Sequence, residues 1–254
     1  MKLFRTFAHS TFAVCIPALV AAPAFADPVK QDGQWRGSLD AGFSAASGNT
    51  TSTSLNLGAT ANWATPTDKF TSNLLGLYGT STDDSGNRTT SDDLVRGNAE
   101  FDHDMTPKIY SMYTLDAERN ELQDLNFRAA AAVALGYHFV KTDKQTFNVF
   151  SGISYNYEIY KTTTRQYPEL LLGEEYDQAV NDTLSLTERL AVYPNLGYIG
   201  NVRTQLDLGL VVKLTERLNL KLTYQDRYNS QPVEEVKKHD SLFVTSIAYT
   251  FGPK

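Results

Sequence analysis

The sequence predicts an all-β protein, a single antiparallel up-and-down transmembrane β-barrel of about twelve strands. Apolar and polar residues alternate with a period of two through segment after segment, the mark of strands with one apolar and one polar face. The connections between segments alternate between short turns and mostly longer loops, as in barrels of outer membranes. Outside the N-terminus, no stretch approaches the ~20 continuous apolar residues of a membrane helix.

The chain of 254 residues is 41% apolar, enough to fold and too much for a disordered chain. Its first 26 residues read as a secretory leader: Lys2 and Arg5 form a basic start, Thr11 to Phe25 is largely apolar, and Ala24-Phe25-Ala26 offers a small-x-small cleavage pattern. The barrel then occupies residues 27–254. The lone cysteine, Cys15, lies within the leader, so neither disulfides nor Cys-zinc sites are expected in the exported part. Lys2 and Arg5 leave with the leader, which makes the balance more negative than the full chain's −6 and argues against nucleic acid as a partner.

The strands are expected at 34–46, 51–64, 69–81, 91–103, 108–119, 125–139, 145–160, 168–180, 183–194, 201–214, 217–230 and 239–252. The clearest is the eleventh, where Leu218, Leu220, Leu222 and Tyr224 oppose Asn219, Lys221, Thr223 and Gln225. In the sixth, Leu125, Phe127, Val133, Leu135, Tyr137 and Phe139 are read as one face. The eighth departs most from strict alternation, through Leu170-Leu171-Leu172 followed by Glu174-Glu175. Short connections such as Thr65–Asp68, Met105–Lys108 and Lys141–Lys144 alternate with 82–90, 120–124, 161–167, 195–200 and 230–238, and Ser47–Thr50 is a tight first member of the longer set.

Aromatic residues cluster near strand ends, as amphipathic rings do at both membrane interfaces. Trp35, Trp63, Phe70, Phe101, Tyr110, Phe139, Phe147, Tyr176 and Phe251 lie near the short-turn end, and Phe43, Tyr78, Tyr157, Tyr193, Tyr224 and Phe243 nearer the longer loops. The last strand alternates Phe243, Ile247, Tyr249 and Phe251, the pattern of a C-terminal strand recognised by barrel-assembly machinery, with Gly252-Pro253-Lys254 extending past it.

Catalytic chemistry finds little footing. No Gly-x-Ser-x-Gly elbow is present, and His103, His138 and His239 are not credibly coupled to a serine and an acid. In Asp102-His103-Asp104 neighbouring side chains point to opposite faces, and Asp83–Asn87 lacks the ligand spacing of a calcium loop. No enzyme, cofactor or metal is therefore expected. What remains is a row of inward polar residues: Arg36, Asp40, Asn56, Asn73, Arg96, Glu100, Arg128, Glu158, Arg203, Asp207, Lys221, Gln225 and Arg227. Charges of both signs would pair across the lumen and close it, or line a narrow path whose charges select small solutes or ions. A closed-lumen structural or adhesive barrel acting through its outer loops is the alternative. Outer-membrane lipid and lipopolysaccharide are the expected surroundings, with loop acids bridging to lipopolysaccharide through divalent cations.

Several short motifs also resemble one family. Trp35-Arg36-Gly37 followed by Gly48-Asn49-Thr50, then Val192-Tyr193-Pro194, Asp226-Arg227-Tyr228 with Ser230 and Pro232, and Asp240 before a Phe-ending strand are similar to the DUF481 family of salt-induced, YdiY-like outer-membrane proteins. The resemblance implies a β-barrel in the outer membrane of a Gram-negative bacterium, linked to salt or acid stress. It brings no substrate, cofactor or catalytic residue.

Overall fold

The computed structural model describes residues 29–47, 52–82, 88–233 and 236–253. The leader at 1–26, the Gly48-Asn49-Thr50 motif and the Asp83–Asn87 loop lie outside the described residues. Twelve strands follow in chain order: β1 Arg36–Ser47, β2 Ser52–Ala64, β3 Asp68–Thr82, β4 Arg88–Asp104, β5 Ile109–Asn120, β6 Leu125–Lys141, β7 Gln145–Tyr160, β8 Thr164–Ala179, β9 Leu184–Pro194, β10 Val202–Lys213, β11 Leu218–Asn229 and β12 His239–Phe251. Each pairs antiparallel with its neighbour in sequence, and β1 closes on β12 with a register running from Gly37↔Phe251 to Ser47↔Ser241. The result is the closed up-and-down barrel that the alternation predicts.

The short turns are held by their own side chains. Thr65, Thr106, Thr142 and Thr215 each accept a backbone N–H three residues on at 2.9–3.0 Å, and Asn181 does the same for Leu184. These hydroxyl and amide caps satisfy backbone donors that the ladder leaves unpaired at strand ends, so the hairpin geometry is encoded locally. At the same end Asp32 pairs with Arg36 at 2.5 Å, and that guanidinium holds the Asp32 carboxyl down to about 2.

Period-two alternation sorts the residues as expected. Leu55, Leu57, Leu74, Leu115, Val133, Leu135 and Ile153 are exposed on the outer face. Ringed around the short-turn end of that face, Trp35 meets Trp63 and Phe70, while Phe139, Phe147 and Tyr176 form a further run. Glu174 on β8 and Glu188 on β9 are exceptions, being carboxylates with outward register beside Val149 and Tyr176.

Three expectations need correction. Tyr110 and Tyr193 do not belong to the outer belts: both carry inward register and are buried, Tyr110 stacked on His138 with ring centroids 4.5 Å apart. Proximity to a strand end decided their assignment, whereas parity decides the face. Leu125 is fully buried rather than sharing the outer face of Phe127, because the β6–β7 register shifts between them. A bulge reverses the parity of everything before it. Finally, β8 begins at Thr164 rather than 168, so the longer loop expected at 161–167 shrinks to residues 161–163; β9 ends at Pro194 as expected, and the two strands pair over Leu172↔Val192 to Ala179↔Ser185. Beyond that, Leu196 N–H donates to the Pro168 carbonyl (2.9 Å) and the 195–201 segment continues the wall.

Gly136 allows the inward Tyr110 to lie flat against β6, since an added Cβ would stand 2.0 Å from the ring. We expect Gly136→Ala to destabilise the refolded barrel by about 1–3 kcal/mol in urea unfolding. Gly76→Ala, whose Cβ would meet nothing nearer than the Leu57 carbonyl at 3.9 Å, should change little.

Candidate functional site: the charged lumen

The inward faces converge on a lumen too narrow to keep its side chains apart. Toward the long-loop end a continuous series of charged contacts runs around the wall and then across it. Arg128 on β6 donates to Glu158 (2.9 Å) and Glu118 (3.2 Å), and Glu118 also accepts from Arg96 on β4 (2.9 Å). Arg96 then reaches across the barrel to Gln225 on β11 (2.9 Å), which donates to Asp207 (2.8 Å), itself paired with Arg227 at 2.5 Å. β4 and β11 stand almost opposite in the ring, so this contact bridges the lumen. Beside the series, Arg203 holds the fully buried Glu169 through two bonds of 2.9 and 2.6 Å, while its guanidinium lies 4.8 Å over the Tyr193 ring.

A second crossing lies nearer the short turns. Arg189 on β9 reaches Glu100 on β4 at 2.6 Å and also bonds Glu175 on the adjacent β8. Between the two crossings is a chamber of about 110 Å³, lined among others by Asn73, Asn98, Asp116, Tyr193, Arg96 and Arg189. Its polar lining and volume suit several water molecules. Lower still, Lys221 pairs with Asp40 (3.0 Å) and donates to the Ser38 hydroxyl at 2.9 Å.

Most of the sequence-expected residues therefore meet one another. Asp40, Arg96, Glu100, Arg128, Glu158, Arg203, Asp207, Lys221 and Arg227 all project inward and are ion-paired. Arg36 has inward parity but sits at the rim, bonded to Asp32 and the Pro253 carbonyl. Asn73 bonds Asn98 on the wall. The sequence reading missed Arg189, Glu118, Glu169 and Glu175, without which neither the second crossing nor the paired state of Arg203 is legible. Alternation carries the signal for Arg189, which shares parity with Ser185 and Thr187, and for Glu118, which shares it with Thr114. In β8 the Leu170–Leu172 run conceals it.

The lumen is also less polar than the sequence reading suggests. Tyr110, Met112, Ala132, Ala134, Phe150, Leu171, Ala191 and Tyr193 cluster on the β5–β9 wall, and Leu77, Leu94, Leu242 and Val244 on the opposite one. These apolar walls narrow the space and drive the charges toward each other. Among the described residues no group of His, Cys, Asp or Glu is placed to hold a metal ion.

Residues 39–251 match the family described as "Protein of unknown function, DUF481". The chain belongs to the DUF481 family. This DUF481 protein is 23% identical over 226 residues to the uncharacterized protein YdiY of Escherichia coli (strain K12), covering 88% of this chain and 86% of that one. Among solved structures it is similar to the NanC porin, with a TM-score of 0.52 and 10% identity, over 83% of this chain and 98% of the porin. The translocator domain of the autotransporter NalP from Neisseria meningitidis gives a TM-score of 0.49 at 12% identity, over 88% and 90% of the two chains. The likeness to the NanC porin concerns the transmembrane barrel fold alone.

Because Glu169 is fully enclosed, Arg203→Ala should cost the DUF481 barrel about 3–5 kcal/mol by stranding its charge. The double variant Arg203→Leu/Glu169→Leu should recover most of that loss, which urea unfolding of both refolded proteins would measure.

Proposed function

We propose that this protein is a non-enzymatic outer-membrane barrel that passes small ions or solutes through a narrow, ion-paired lumen. In this reading the short turns face the periplasm and the longer loops face outward. The observation that carries the proposal is the chamber, lined largely by polar side chains, between the Arg96–Gln225 and Arg189–Glu100 crossings. Filling a barrel merely to close it needs no charges, because apolar side chains of similar volume are often as stabilising as desolvated ion pairs. Charged pairs that bridge a wet space, by contrast, can exchange partners with passing ions.

The fold likeness to the NanC porin and the aromatic belt at the short-turn end support an outer-membrane location. The strand ending at Phe251 would present its outward Phe243, Ile247, Tyr249 and Phe251 to the barrel-assembly machinery, and the outer loops would face lipopolysaccharide. A link to osmotic or salt stress fits a lumen whose electrostatics respond to ionic strength. The second reading, a closed structural or adhesive barrel working through its loops, is favoured by the apolar clusters inside the lumen.

Planar-bilayer recording of the refolded chain tests the proposal. Stable single-channel steps that grow when Arg96→Ala or Gln225→Ala removes the upper crossing are the expected result. A barrel that inserts yet stays electrically silent, before and after these substitutions, would leave the structural reading in possession.

A further inference from the structure

Toward the short-turn end, beside the Lys221–Asp40 and Lys141–Asp104 pairs, one group of lumen charges does not balance. Glu100 and Asp102 from β4 and Glu175 and Asp177 from β8 project into this region, against Lys69 from β3 and Arg189 from β9. Arg189 is already committed to Glu100 and Glu175. Lys69 approaches Asp102 no closer than 3.9 Å, and Asp177 finds the Thr146 hydroxyl at 3.3 Å rather than a cation. Asp102 therefore has one loosely held lysine for its charge, and Asp177 has a hydroxyl.

Two buried atoms show that this region is incomplete as it stands. Asp102 is 8% exposed, and its Oδ1 has no hydrogen-bond partner. The Tyr110 hydroxyl, on a residue 1% exposed, also has none. A buried carboxylate oxygen without a partner costs its desolvation unless a donor or a cation reaches it. The carboxylates are not grouped tightly enough to chelate a metal ion. Their arrangement on the separated strands β4 and β8 instead suits a mobile cation that keeps part of its hydration shell.

We propose that the short-turn half of the lumen is a binding and selection site for small monovalent cations, centred on Asp102 and Asp177. This names the ion class for the conducting lumen proposed above and rests on that reading. Lys69 then acts as the tethered competitor: it occupies the acidic region at rest and yields to an arriving cation, while anions meet unbalanced negative charge and are turned back.

The test pairs two measurements on the refolded full barrel. Reversal potentials in KCl gradients should give a cation-to-anion permeability ratio above unity, falling to unity or below in Asp102→Asn/Asp177→Asn. Thermal stability in KCl should exceed that in choline chloride of equal ionic strength, since the larger cation does not fit, and the double variant should lose the difference. A conducting barrel with no cation preference, or with one that the variant leaves unchanged, overturns the inference while sparing the pore. A silent barrel whose potassium-specific stabilisation disappears in the variant keeps the cation site and overturns the pore. A silent barrel with identical stability in both salts overturns both.

Discussion

Everything in this molecule follows from the obligation of a sheet in hydrocarbon to have no edge. An unpaired N–H or C=O in lipid costs several kcal/mol, so β1 must pair with β12 along its whole length, as it does from Gly37 to Ser47. Once the ring is closed, alternate side chains have nowhere to go but the lumen. With twelve strands and bulky apolar residues on two of its walls, that lumen brings arginines and carboxylates within bonding distance. The ion-paired interior is thus a consequence of closure and of which residues hold inward parity.

Burial makes those pairs consequential. Glu169 and Glu158 are almost completely enclosed, and Arg203 and Arg128 beside them supply the partners that buried carboxylates require. The two crossings, Arg96 to Gln225 and Arg189 to Glu100, differ from these wall pairs because each joins nearly opposite strands. Wall pairs hold neighbouring strands in register. In the proposed pore the crossings are the constrictions, and the chamber between them is the space that their rearrangement would open.

The fold was highly legible in the sequence because membrane barrels impose a simple code, with parity for the face and connection length for the end. Leu218 to Tyr224 and Val202 to Val212 could be sorted from alternation alone. Legibility failed where parity failed. The β6–β7 register shift sent Leu125 inward, and the Leu170–Leu172 run hid Glu169 and Glu175. Tyr110 and Tyr193 were misplaced for another reason: aromatic character suggested an interface belt, whereas the lumen uses them as packing against Gly136 and as a platform for Arg203. Many of the charged residues could be named from the sequence, Arg189, Glu118, Glu169 and Glu175 excepted, but not their partners, because the crossings join positions 129 and 89 residues apart, a separation on which alternation is silent.

The claim that a cross-lumen ion pair controls passage is tested most directly by a double-mutant cycle on Glu100→Gln and Arg189→Gln, read as single-channel conductance. If the pair is the constriction, either substitution alone should raise conductance, and the double variant should exceed the larger single effect by little, because both remove the same contact. Independent, additive changes, or no change in any of the three, would contradict it.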